Sequence, residues 1–202
     1  MHKLALGPGV SGCALSVLIL GFSVACRSAN GPSAEAKERI QAQYDGSGKL
    51  TRLTYDRNGD GKVDTWGFMD GTRVVRVEID EDGDGKPDTW EYHTEAAPAP
   101  GSASVGVDKT VERIERATRF DGRVNRREFF EAGALTRVEE DTDGDGKIDK
   151  WETYANGALT MMALDTQGRG TPDRRFVYNA DGSLSRIEAD ADGTGNFRPL
   201  SQ

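Results

Sequence analysis

The stretch Asp141-Thr142-Asp143-Gly144-Asp145-Gly146-Lys147-Ile148-Asp149-Lys150-Trp151-Glu152 decides how the chain is read. Aspartates stand at positions 1, 3, 5 and 9 of a loop, glycine at 6, and a tryptophan follows at 11. The same arrangement runs from Asp80 through Asp82, Asp84, Lys86 and Asp88 to Trp90 and Glu91. It also runs from Asp56 through Asn58, Asp60, Lys62 and Asp64 to Trp66. Asp56 and Asp80 are 24 residues apart. That step carries Asp141 forward to a weaker copy between Asp165 and Asp173, and back to Ala117, with Asp121, Gly122 and Asn125 in register. A further step of 25 reaches Asp190, Asp192 and Gly195. Position 6 is glycine in all six copies: Gly61, Gly85, Gly122, Gly146, Gly170 and Gly195. Self-similarity at such a period marks a repeat architecture.

The segments between loops repeat as well. After each loop comes a short run, often with a tryptophan. A glycine turn follows, then an aliphatic residue, an arginine, a second aliphatic residue and often a glutamate, as in Leu135-Thr-Arg137-Val138-Glu139 and Leu184-Ser-Arg186-Ile187-Glu188. Short runs rich in β-branched and aromatic residues, broken by Gly and Asn, read as strands and hairpins. The sequence therefore predicts an all-β fold: antiparallel β-hairpin repeats of about 24 residues joined by Asp-rich loops, in an elongated meander or solenoid-like sheet. Alternation places Trp66 with Phe68, Trp90 with Tyr92 and Trp151 with Thr153, with Glu91 and Glu152 on the other side. Val77, Ile114, Val138 and Ile187 oppose in parity the columns Arg76, Arg113, Arg137, Arg186 and Glu78, Glu115, Glu139, Glu188. One apolar and one charged face are expected. Leu135 shares parity with Arg137, which calls for a bulge or a reorienting turn. One hairpin is about 13 residues longer than the others and carries a Pro/Ala/Ser-rich insertion at about 94–109.

Acids at 1, 3, 5 and 9 with glycine at 6 specify calcium chemistry. Calcium takes 6–8 oxygen ligands at about 2.3–2.6 Å, and alternate side chains of a tightly wound loop point inward together. The expected ligands are Asp56, Asn58, Asp60 and Asp64; Asp80, Asp82, Asp84 and Asp88; and Asp141, Asp143, Asp145 and Asp149. Backbone carbonyls at Lys62, Lys86 and Lys147 complete the near side. Glu91 and Glu152 stand where a bidentate carboxylate closes the far side, or else they pair with the arginine columns; the first loop has Gly67 there. No His/Cys cluster competes for a soft metal. The plainer alternative is that Asp-Gly pairs merely form turns. Four like charges within nine residues nonetheless repel one another without a cation. In the weaker copies Arg119, Arg169 and Arg198 occupy ligand positions, and their charge is expected to stand in for a metal's. Core packing is the expected role of the tryptophans.

Over about 12 residues each, the second and fourth loops match D-x-D-x-D-G-x5-E and resemble EF-hand loops. The flanks depart from that family, since they are strand-like rather than helical. The loops look more like the aspartate repeats of thrombospondin type 3 or dockerin modules, and the strand-turn-strand portion is similar to bacterial MORN-like repeats.

At the N-terminus, Lys3 precedes an apolar run from Ala14 to Ala25 that stops at Cys26. The run is too short to span a bilayer and has the size of a secretory signal core. Ser23-Val24-Ala25-Cys26 resembles a bacterial lipobox, although Ser23 replaces the usual aliphatic residue. Val10-Ser11-Gly12-Cys13 fits the pattern better but has almost no apolar run before it. Cys26 is the expected lipidation site; the alternative is an ordinary signal peptide cut nearby. Arg27, not Asp, follows Cys26, which by the resemblance implies the outer membrane. The expected organisation is a signal at 1–25, a lipidated cysteine and tether at 26–43 with a short helix over 34–43, and a repeat domain at 44–202.

With Cys13 and Cys26 the only cysteines, no disulfide is expected in the mature chain. A net charge of −8 disfavours nucleic acid as a partner. The functional expectation is a non-enzymatic, calcium-binding structural or interaction lipoprotein of the bacterial envelope. Its partners are calcium, the membrane through its lipid, and an envelope protein or a polysaccharide. The alternatives are an EF-hand-type calcium sensor, which requires paired helices, and a carbohydrate-active enzyme or carbohydrate-binding module. The mature chain offers one histidine, His93, and no nucleophile motif.

Overall fold

The computed structural model describes residues 38–94 and 110–200. All of them belong to the unit Ser33–Gln202. The expected signal, Cys26 and nearly all of the insertion lie outside the described residues. Among those described, no helix is long and apolar enough to cross a membrane.

Among the described residues thirteen strands form one sheet: β1 (Ile40–Tyr44), β2 (Leu50–Tyr55), β3 (Thr65–Asp70), β4 (Arg73–Ile79), β5 (Thr89–His93), β6 (Val111–Arg116), β7 (Arg126–Glu131), β8 (Ala134–Glu140), β9 (Lys150–Ala155), β10 (Ala158–Leu164), β11 (Arg174–Tyr178), β12 (Leu184–Ala189) and β13 (Arg198–Pro199). Their order in the sheet is their order in the chain, so the fold is an antiparallel meander. The expected all-β hairpin architecture is what the chain adopts. β1 corrects the end of the tether and short helix expected over 34–43: residues 40–43 are strand, pairing Ile40 with Tyr55 and Gln43 with Arg52, while 34–37 lie outside the described residues. At 40–43 β2 offers a complete row of backbone partners.

Two kinds of connection alternate. Short turns close the hairpins other than β5–β6, whose connection carries the insertion; at Ala132-Gly133 and Asn156-Gly157 both residues are left-handed, with φ of 50° and 81°, and 51° and 77°. Such primed turns match the twist of the strands they join. Aspartate loops make the other connections, and all of them fall on the opposite margin of the sheet.

Each hairpin carries one extra residue beside its turn: Thr51, Val75, Glu112, Thr136, Thr160 and Ser185. This β-bulge answers the parity of Leu135. Arg137 pairs with Phe129 and Leu135 with Phe130, so the bulge turns Leu135 onto the face of Val138.

The faces differ from expectation. The parities hold, but the cross-strand register sets Trp66 and Trp90 against Glu78, and Trp151 against Glu139. The tryptophans thus share a face with the arginine and glutamate columns. The aliphatic residues share theirs with Glu91, Glu128 and Glu152, which pair with Val77, Ile114 and Val138. Neither face is purely apolar. The buried apolar positions are few and small: Val111, Ile114, Ala117, Val138 and Ala163.

Candidate metal centres in the aspartate loops

The ends of each loop continue the ladder of the sheet. Asp64 donates its amide to Tyr55 O (3.1 Å), and its own carbonyl accepts from the Asp80 amide (2.8 Å). The same step recurs from Asp88 to Ala117 (2.7 Å), Asn125 to Asp141 (2.8 Å), Asp149 to Asp165 (2.8 Å) and Asp173 to Asp190 (2.9 Å). Position 9 of one loop is therefore stitched to position 1 of the next, and most of these residues are buried, Asp80 at 4% and Asp88 at 5% exposure among them.

The interior of each of the three full loops is wound around its first carboxylate. Asp80 accepts from the amides of Gly83 and Gly85 (both 2.7 Å), and Asp141 from those of Gly144 (2.6 Å) and Gly146 (2.9 Å). In the first loop Asp56 accepts from Gly59 (2.5 Å) and Gly61 (2.9 Å). Gly85 and Gly146 have φ of 90° and 88°, a conformation that side-chain-bearing residues rarely adopt. The ninth residue braces the second and third: Asp64 accepts from the amides of Arg57 (3.0 Å) and Asn58 (3.3 Å), Asp88 from Glu81 (3.0 Å), and Asp149 from Thr142 (3.1 Å).

This winding brings positions 1, 3 and 9 together in two loops. Asp80, Asp82 and Asp88 form one group and Asp141, Asp143 and Asp149 the other, with one carboxylate oxygen from each lying within 4.8 Å of the rest. Oxygens that share a calcium ion at its usual bond lengths lie no more than about 5 Å apart. The two triads meet that condition, and three hard oxygen donors suit a hard cation. Asp88 is held above the ordinary carboxylate range by burial and by the neighbouring charges of Asp82 and Asp80. Burial also opposes ionisation of Asp141, but the amides of Gly144 and Gly146 and the Arg119 guanidinium outweigh it and hold its pKa below the usual value.

No family model and no curated protein matches this chain.

Other expected ligands lie apart from the triads. Position 5 turns to position 7: Asp60, Asp84 and Asp145 accept from the amides of Lys62 (2.8 Å), Lys86 (2.7 Å) and Lys147 (2.8 Å). Lys86 and Lys147 also bring their ammonium groups to Asp84 and Asp145, at 3.0 and 3.3 Å. In the first loop Asn58 donates to Asp60 (3.4 Å), and that loop forms no carboxylate triad.

Glu91 and Glu152 stand outside both triads. Strand pleating aims both at the aliphatic face, away from the arginine columns as well. Glu91 lies 2.8 Å from His93 Nε2. Glu152 meets Lys150 Nζ (2.8 Å) and the Tyr154 hydroxyl (2.9 Å). Burial works against its charge, but these two contacts prevail and its pKa is lowered. Lys150 also reaches Glu140 (3.2 Å), which meets Arg126 (3.0 Å), which meets Glu128 (2.8 Å). This chain of alternating charges crosses β7 to β9.

The arginines of the weaker loops also behave otherwise than expected. Instead of filling its own loop, Arg119 donates to Asp141 O of the next one (2.9 Å). Arg169 likewise reaches Asp190 O (3.3 Å), and Arg39, ahead of the first loop, reaches Arg57 O (2.9 Å). Arg198 lies on β13, paired with Ala189. The ladder sets adjacent loops side by side, so a long side chain spans to the carbonyls next door. The sequence signal for this was an arginine one repeat before an aspartate loop.

Proposed function

We propose that the protein is a calcium-binding, lipid-anchored structural or interaction lipoprotein of the bacterial envelope, tethered through Cys26 to the outer membrane. Calcium held by Asp80, Asp82 and Asp88, and by Asp141, Asp143 and Asp149, neutralises the acidic margin and rigidifies the repeat stack. The observation that carries this reading is the convergence of positions 1, 3 and 9 in two separate loops. Strands rather than paired helices flank the loops, which leaves the sensor alternative without its moving part. An ion that binds only the folded chain stabilises it by mass action, a role otherwise served by disulfides in exported proteins.

Calorimetric titration of the chain with calcium, together with melting in calcium and in chelator, tests the proposal. Two ions are expected at the triads and a third, weaker one at the first loop, where Asn58 replaces a carboxylate. The melting temperature should rise with calcium while the strand-type spectrum persists. No binding at millimolar calcium would reduce the aspartates to turn formers.

A further inference from the structure

The face that carries the tryptophans has features that the loops do not use. Along one column, Trp66, Glu78, Trp90 and Glu115 stand side by side across β3 to β6, and Glu139 and Trp151 continue the column on β8 and β9. Two residues along each strand, and so on the same face, a second column alternates Phe68, Arg76, Tyr92, Arg113, Phe129 and Arg137. Over the whole sheet these two columns hold seven arginines against four glutamates, in a chain whose net charge is −8. An acidic protein thus presents one basic, aromatic face.

The guanidinium groups are held in place. Those of Arg76, Arg113 and Arg137 lie over the rings of Phe68, Tyr92 and Phe129 at 4.4, 4.3 and 4.0 Å. Each is also tied to the glutamate two residues on, at 2.8, 3.3 and 2.5 Å. A guanidinium has five N–H donors in a rigid fork, so one glutamate contact leaves the outer donors for a ligand. The three side chains are 37%, 36% and 49% exposed. Groups already ordered lose little freedom on binding.

The spacing selects the ligand. These arginines recur every second strand, and Trp66 and Trp90 do the same, a step of about 9.6 Å. Trp151 lies four strands beyond Trp90 and stays in phase. A step of that length has the scale of a disaccharide. It is much longer than the roughly 3.4 Å between charges on a duplex nucleic-acid strand. We propose that this face binds a linear acidic polysaccharide with a carboxylate on alternate sugars, laid across the strands. Sugar rings stack on Trp66, Trp90 and Trp151, carboxylates pair with the arginine row, and Glu78 and Glu115 accept from sugar hydroxyls.

The test uses the full chain in detergent, titrated with a hyaluronan decasaccharide and with a neutral dextran oligomer of equal length, in calcium and again in chelator. Tryptophan fluorescence and calorimetry follow binding. Hyaluronan should bind at least about tenfold more tightly than dextran, weaken with salt and perturb the tryptophans. Arg137 and Arg186, with side chains 49% and 51% exposed, are suited to replacement. R137Q/R186Q should lose at least about tenfold in affinity while keeping the strand spectrum, and R137K/R186K should recover part of it. No binding in either condition, equal affinity for the two oligomers, or unaltered affinity in the folded glutamine variant would overturn the proposal. Hyaluronan binding that persists in a chain found to take up no calcium would sink the calcium reading and leave this one standing.

Discussion

At the scale of the residue, Asp88, at position 9 of the second loop, and Asp141, at position 1 of the fourth, sit in opposite electrostatic settings. Asp88 is raised because burial and the charges of Asp82 and Asp80 disfavour its ionised form. Asp141 is lowered because, against its burial, two glycine amides and the Arg119 guanidinium favour that form. The linkage signs follow. Ionised Asp141 contributes stability above its unfolded pKa, and the contribution is lost as pH falls through the lower folded value. Ionised Asp88 weakens the fold at neutral pH, and protonation or a cation relieves it. In chelator, carboxyl carbon NMR should give Asp88 a midpoint above the ordinary 3.8 and Asp141 one below it. Calcium should move the Asp88 midpoint sharply down. Equal midpoints for the two would remove the electrostatic case for a cation at the second loop. The aspartates and glycines of these loops were legible in sequence because they sit within nine residues of one another. The grip of Arg119 on Asp141 O was not, since it spans 22 residues.

At the scale of the element, the bulge beside each turn reconciles two patterns on one strand. Residues between the bulge and the loop alternate with one phase, and Leu135 on the turn side belongs to the other. A one-residue slip moves a side chain to the opposite face of a sheet. Deleting Thr136 forces either Leu135 or Arg137 onto the wrong face and should cost more than about 2 kcal/mol in urea denaturation. Thr136→Ala keeps the bulge and gives up only the hydroxyl bond to Phe129 O (3.1 Å), so about 1 kcal/mol or less is expected. If the two variants proved equally stable, the bulge would have no part in setting the faces. Parity in the sequence pointed to this irregularity. It could not show the residue inserted, because that depends on which strand lies alongside.

At the scale of the whole molecule, every strand pairs only with its neighbours in sequence. Stability in such a chain is close to a sum of repeat and nearest-neighbour terms. A chain ended after Leu164 loses β11 to β13 and no other pairing. It should keep strand-type circular dichroism per residue and both carboxylate triads, and melt several degrees lower. Complete loss of structure would mean that the sheet folds as one indivisible unit. The meander itself was legible, since six spaced glycines and alternating runs leave little room for another topology. The start of β1 was not. Ile40–Tyr44 does alternate apolar and polar residues, but over only five positions, and it is a strand because β2 offers it a ladder.

The sequence by itself determined the all-β class, the hairpin repeat, the six loop positions and the residue types able to hold a cation. Each of these is written in contacts that close within about a dozen residues. The tertiary structure alone decided that tryptophans and arginines share a face and that arginines reach across to the next loop. Those outcomes depend on how strands register against one another and on loops stacking side by side. Residues far apart in the chain meet there, as Glu81 and Arg116 do at 3.4 Å across 35 residues. Local periodicity carries no information about such pairs.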